Sequence, residues 1–269
     1  MLEEKVGVEP THRDEAVMNG ARSGGGPSVW ATLKMLAVWL TLGPIVGIIG
    51  IPYTLIVGDI SRLYWVSMWI TRTGIRAAGI SLRIEGIENM PVGRTCILMS
   101  NHVSNLDPPI LLPAIPVRIS VLLKKELMKI PILGPAMRLA KFVPVERGSR
   151  RETAQAMAAA AAAALKAGLP IVVFPEGTRT LDGRLSRFKK GPFFLAQQTG
   201  APIVPVAISG TEKMLKKGSA WVTPGVARVQ LLKVIEPEDY GSREELIEAV
   251  HGAIAAALPE DMRPVSGDA

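Results

Sequence analysis

Cysteine is almost absent from this 269-residue chain. The single one, Cys96, excludes an intrachain disulfide, and its place in the apolar run "TCILM" makes it a small core side chain. Histidine is scarce as well, with three in the chain, and no His/Cys/Asp/Glu group has the spacing of a zinc site, so no metal and no cofactor are expected. Aromatic residues are only 5%, and no nucleic-acid-binding motif is present. The anionic partner implied by a net charge of +7 is therefore not expected to be nucleic acid; lipid head groups or phosphorylated substrates fit better. Charged residues are also few, 20% against 48% hydrophobic, and the mean hydropathy is +0.27. That balance points to a membrane contact.

Residues 1–28 are polar and glycine-rich and are expected to form a disordered tail, which leaves His12 without a role. From Leu33 to Val57 the only charge is Lys34. At about 1.5 Å per residue, a straight helix of that length could cross a hydrocarbon core of about 30 Å. Pro44 and Pro52, with Gly43, Gly47 and Gly50, complicate this: they could split the segment into two helices that enter one leaflet and return. Its distance from Met1 and the lack of a small-residue cleavage site argue against a removable signal peptide. Next, Ile60, Leu63, Tyr64, Met68 and Thr71 fall at helical spacing, among Arg62, Arg72, Arg76, Trp65 and Trp69. Arginines beside aromatic rings suit the head-group region, so residues 29–83 are expected to be membrane-associated helices.

Beyond Ile84 the pattern becomes one of short apolar runs separated by helical stretches. Strands are expected at 95–99, 118–123, 142–146, 169–174, 202–208 and 227–235. The alanine-rich stretch 151–168 predicts a helix closed by Gly168. A last helix is expected from Ser242, with Glu245 completing a capping box and Leu246, Val250, Ile254 and Ala257 forming its apolar stripe; His251 lies off that stripe and is expected at the surface. This alternation defines the fold class as α/β: a layered domain over residues 84–258 with a mostly parallel or mixed central sheet, followed by a tail at 259–269.

Two stretches carry chemistry. In "SNHVSNLDPP", His102 stands at the end of an apolar strand, where α/β domains place reactive groups. Pro108 and Pro109 predict a helix start with Asp107 as its N-cap, in a loop that can fold the carboxylate back to the imidazole. Such a carboxylate would fix the tautomer and leave the other ring nitrogen free to accept a proton. Ser104 raises a Ser–His–Asp alternative, weakened by its place two residues from His102 and by the lack of a nucleophile elbow. The second stretch, "IVVFPEGTRT", ends a buried strand in Glu176, Gly177, Thr178 and Arg179. Arginine's planar fork suits phosphate oxygens, and glycine lets backbone approach a ligand.

With both stretches in this order, the sequence resembles the PlsC-type glycerolipid acyltransferases, typified by 1-acylglycerol-3-phosphate acyltransferase. "NHVSNLD" resembles the family's H-x-x-x-x-D block and "FPEGTR" its phosphate-binding block. "LKKELMKIPILG" with "VPVER" resembles the second block, and "IVPVAI" the fourth. The resemblance implies His102 as base and Asp107 as its partner, with Lys124, Arg147 and Arg179 holding a phosphate and Glu176, Gly177 and Thr178 shaping the loop. It implies a fatty acyl donor, acyl-CoA or acyl-carrier protein, lysophosphatidic acid as acceptor, and action at a phospholipid membrane, on the cytoplasmic face of the inner or plasma membrane. Glu146 and Lys141 depart from the family's usual aspartate and glycine, which bears on the shape around Arg147 and on the choice of acceptor. Backbone N–H groups around Gly177 are the expected oxyanion donors. Other acceptors (glycerol 3-phosphate or a lyso-aminolipid), a Ser104 lipase and a non-catalytic lipid-binding protein are the alternatives.

Overall fold

The computed structural model describes residues 26–145, 151–216 and 218–264. The expected tail therefore lies largely outside the described residues, as do Glu146 and Arg147. Seven strands form one sheet: β1 (Ile80–Glu85), β2 (Ile97–Ser100), β3 (Ser120–Lys124), β4 (Val143–Val145), β5 (Ile171–Val173), β6 (Ile203–Ser209) and β7 (Gly225–Leu231). Their order is β1-β7-β6-β2-β5-β3-β4. The five strands from β6 to β4 are parallel to their neighbours; β7 runs antiparallel to β6, and β1 parallel to β7.

A parallel sheet covered on both faces needs strands that are apolar on both faces, and β2 meets that need with all four residues buried. Successive side chains then point to opposite layers. Leu98, Val172 and Val204 enter one core with Ala31, Met35, Ile75 and Ile110. Ile97, Met99, Ile171 and Ile203 enter the other, against Ala161, Phe193, Leu246 and Val250. The first layer is built by α1 (Val29–Val57), α2 (Ser61–Ala77) and the short α3 (Asp107–Leu111), and the second by α5 (Arg151–Lys166), α6 (Lys190–Thr199) and α8 (Arg243–Ala257). Two further short helices are α4 (Leu133–Leu139) and α7 (Thr211–Met214).

Several expectations are revised. The apolar segment is one continuous helix with Pro44 and Pro52 inside it, not two helices. The carbonyls that these prolines leave without a donor belong to Leu40 and Ile48, on an exposed face where strain and bending are tolerated. Ser28, placed in the tail by sequence, instead caps α1, its hydroxyl accepting the Ala31 N–H at 3.2 Å. Strand β1 straddles the expected boundary at residue 84, and its partner β7 lies far away in the sequence. The last tail is anchored as far as Met262, which is buried and whose carbonyl accepts the Leu185 N–H at 2.8 Å. His251 is half-buried, edge-on to Phe188 at 4.8 Å, and burial lowers its pKa. The Ser242 cap holds, accepting the Glu245 N–H at 3.2 Å, but the Glu245 carboxylate turns to the Gly241 N–H.

Candidate active site

Parallel strands end on one edge, so β2, β5, β3, β4 and β6 deliver their following loops to the same side of the molecule. The β2–β5 register pairs Met99 with Val173, and three residues further on this alignment sets His102 opposite Glu176. The two meet: the His102 N–H donates to Glu176 Oε1 at 2.6 Å. The Thr180 N–H donates to the His102 carbonyl at 3.3 Å, so the 174–180 loop grips the His102 backbone on both sides. Phe174 stacks on the imidazole, with centroids 4.3 Å apart. Asn101 fixes the strand end from the other neighbour, exchanging two hydrogen bonds with Ile208 at 2.9 and 2.8 Å.

His102 Nδ1 lies 2.8 Å from Asp107 Oδ2. An ionised carboxylate can only accept, so Nδ1 carries the proton and Nε2 is left with its lone pair. The imidazole side chain is 14% exposed and that of Asp107 is 0%, so the base is reachable and its partner is not. Asp107 differs from the expected N-cap: it is the first residue of α3, and its carboxylate points backwards, Oδ2 accepting the Val103 and Ser104 N–H groups at 2.8 Å each. The cause is local: Pro109 has no N–H for a forward cap, and the Ile110 N–H is taken by the Leu106 carbonyl at 2.9 Å. Oδ1 accepts the Thr211 hydroxyl at 2.6 Å, a partner 104 residues away that sequence reasoning missed. Only a polar residue just past an apolar strand signalled it.

Ser104 is fully buried. Its hydroxyl donates to the Leu215 carbonyl at 3.0 Å and accepts the Leu106 N–H at 3.2 Å. It neither faces His102 nor reaches solvent, which removes the Ser104 lipase.

In the second loop, Gly177 has φ +72°, and its N–H donates to the Phe174 carbonyl at 3.0 Å. That N–H closes the turn and is not free to stabilise an oxyanion, which narrows the expected donors to the other backbone N–H groups around it. A Cβ on Gly177 would come within 2.7 Å of Lys189 Nζ, so the loop also carries a lysine that the sequence reading passed over. Thr178 is exposed and Arg179 half-buried on the same loop. Lys124 ends β3 on this edge, with Nζ 3.7 Å from Glu126. The described residues thus join His102, Asp107 and Glu176 by hydrogen bonds and set Gly177, Thr178 and Arg179 beside them. Lys124 shares the edge, and Arg147 falls outside the described residues.

Glu176 is 3% exposed, and burial pushes its pKa up to about 7, against the opposing donors of Ser186 and His102. An unfolded chain releases that proton near 4.5, so between 4.5 and 7 the folded form binds more protons and stability falls as pH rises, levelling above 7. The loss is on the order of 3 kcal/mol. Glu176→Gln cannot ionise, so melting curves from pH 4 to 8 should show the variant gaining on wild type by that amount as pH rises. Parallel stability profiles would show that Glu176 does not titrate in this window.

A buried carboxylate that orients an accessible imidazole at a sheet edge, beside a cationic loop, is the arrangement expected of an acyltransferase. The acyltransferase family profile matches residues 81–209, which contain all of it. A 1-acyl-sn-glycerol-3-phosphate acyltransferase of Limnanthes douglasii is 32% identical over 189 residues, 70% of this chain and 66% of that protein. One from Pseudomonas aeruginosa is 30% identical over 66% of each chain. The matched stretch thus spans just under two thirds of these relatives' own length. The crystal structure of the 1-acyl-sn-glycerophosphate acyltransferase PlsC of Thermotoga maritima superposes with a TM-score of 0.73 at 27% identity, covering 84% of this chain and 92% of that one. The chain belongs to the PlsC-type glycerolipid acyltransferases.

Proposed function

We propose that the protein transfers a fatty acyl group from acyl-CoA or acyl-carrier protein to the sn-2 hydroxyl of 1-acylglycerol 3-phosphate, giving phosphatidic acid. The observation that carries this reading is the 2.8 Å His102–Asp107 contact with Nε2 left free. Nε2 takes the hydroxyl proton as the oxygen attacks the thioester carbonyl, and Asp107 stabilises the resulting imidazolium. The tetrahedral adduct collapses by expelling the thiolate, which recovers the proton from His102. No acyl-enzyme forms. Arg179, with Lys124 and Arg147, binds the acceptor phosphate, while Glu176, Gly177 and Thr178 set the loop's shape.

The test is acyl transfer by detergent-purified protein, with each donor assayed against each acceptor. Lysophosphatidic acid should outcompete monoacylglycerol, glycerol 3-phosphate and lyso-aminolipids. Arg179→Ala should raise the KM for lysophosphatidic acid about tenfold or more, with a smaller change in kcat, and erase the advantage over monoacylglycerol. A serine-directed fluorophosphonate should leave the protein unlabelled. Preference for an acceptor without phosphate would overturn the reading.

The bilayer is the proposed site of action, on its cytoplasmic face. Helix α1 is about 43 Å long at 29 residues and is fastened to the domain along its course. Its start bonds Val222 (Ser28 N–H to the Val222 carbonyl, 2.9 Å), Gly47 abuts Ile132, and the returning α2 places the Tyr64 hydroxyl on the Ile119 N–H at 3.2 Å. A helix held in this way cannot stand across a bilayer without drawing the domain into hydrocarbon. We therefore place it in the plane of one leaflet, with Leu40, Ile48, Ile49 and Ile56 facing the acyl chains.

A further inference from the structure

We propose that Thr211 is a positioning residue for the transfer, its hydroxyl fixing the Asp107 carboxylate that steers His102; this inference rests on the base role proposed above. The carboxylate's two oxygens are held differently. Oδ2 takes three donors, all from its own loop: His102 Nδ1 and the Val103 and Ser104 N–H groups. Oδ1 has a single protein donor among the described residues, the Thr211 hydroxyl at 2.6 Å. Because a carboxylate only accepts, the hydroxyl must donate, which fixes the direction of this bond. Thr211 and Asp107 are both fully buried, so no bulk water replaces the donor if it is removed.

The chain is shaped to deliver that hydroxyl. Gly210 turns it with φ +90°, and a Cβ there would collide with the Val226 carbonyl oxygen. The first residue after this turn is Thr211. Four residues on, the Leu215 carbonyl accepts the Ser104 hydroxyl at 3.0 Å. The 210–215 segment therefore grips both ends of the 104–107 turn. Asp107 stands between Thr211 and the imidazole, so Thr211 acts on the reacting atoms only through Asp107. Its loss should weaken turnover and leave acceptor binding nearly intact. It should also raise the proton affinity of the His102–Asp107 pair, because a buried anion has lost a donor. Among the described residues, the other ionisable groups nearby are Glu176, on the His102 N–H, Arg179 and Lys189 on the same loop, and Glu212 next to Thr211, and all are the same in every variant compared.

The test compares Thr211→Val, close in shape but without a hydroxyl, with Thr211→Ser, which keeps it. Thr211→Val should lose about 10- to 100-fold in kcat with the acceptor KM within about twofold. The acid limb of its pH–kcat profile should move up by about half a pH unit or more, and Thr211→Ser should restore both. Unchanged turnover, a fall in kcat with the acid limb unmoved, or Thr211→Ser as impaired as Thr211→Val would each overturn the proposal. Thermal melting verifies folding, and Thr211→Ala gives the same readout if the valine variant does not fold. Wild-type protein that fails to acylate lysophosphatidic acid would count against the function itself; wild-type turnover matched by Thr211→Val would count against Thr211 alone.

Discussion

His102→Ala is expected to lower kcat about 10⁴-fold, which is about 5.5 kcal/mol of barrier, while the acceptor KM stays within about threefold. The substitution removes the group that the proposed mechanism uses to take the hydroxyl proton and leaves the cationic loop in place. Asp107 allows the roles of charge and orientation to be separated. In Asp107→Asn the amide has two ways to sit, but the Val103 and Ser104 N–H groups both require an oxygen where Oδ2 now is. The oxygen therefore continues to face His102 Nδ1, and the amide nitrogen faces the Thr211 hydroxyl, which can accept. The tautomer is preserved and only the negative charge is lost, so the expected cost is about 10²-fold. Asp107→Ala loses orientation as well and should approach His102→Ala. The double variant His102→Ala/Asp107→Ala should be no slower than His102→Ala alone, because the pair acts as one unit. Initial rates at saturating donor, with thermal melts to confirm folding, decide the matter. If Asp107→Asn is as slow as Asp107→Ala, the backbone N–H groups do not dictate the amide's orientation.

What could be read from the sequence follows from the range of each interaction. The His102–Asp107 contact spans five residues and is fixed by a strand end and two prolines, so the sequence alone suffices to anticipate it. The meeting of His102 with Glu176 spans 74 residues but follows from parallel pairing of two apolar strands. Thr211 has neither advantage, since it is an ordinary residue type reaching Asp107 through the packing of β6 beside β2. Which backbone N–H groups of the 174–180 loop are committed could not be read from the sequence, because it depends on the φ of Gly177, which closes a turn back to Phe174. Strand β1 could not be read from the sequence because "ISLRIE" directly follows the helical segment and pairs with β7, whose sequence lies beyond the whole catalytic region. The unbroken α1 escaped local rules because proline's helix-breaking cost depends on what surrounds the freed carbonyls, and that is a property of the environment.

The second large effect concerns that helix. Leu40 and Ile48 are 69% and 63% exposed on α1, away from the domain, and each buried aliphatic side chain contributes about 2 kcal/mol to partitioning into lipid. Replacing both with glutamate removes that contribution and adds charge, so vesicle binding should fall roughly 10³-fold or more. Folding should be spared, because neither side chain belongs to a buried core cluster of the domain. The consequence for catalysis should depend on the substrate. With long-chain lysophosphatidic acid in vesicles, turnover should fall in parallel with binding, because the acceptor is found only at the surface that the enzyme has left. With a short-chain, water-soluble acceptor and donor, Leu40→Glu/Ile48→Glu should match wild type, since His102 and the 176–179 loop lie at the sheet edge and do not depend on those two side chains. Sedimentation with anionic vesicles, run beside both assays, separates the outcomes. Loss of activity on the soluble pair would mean that α1 supports the active site directly, and undiminished vesicle binding would move the lipid-facing surface elsewhere on the molecule.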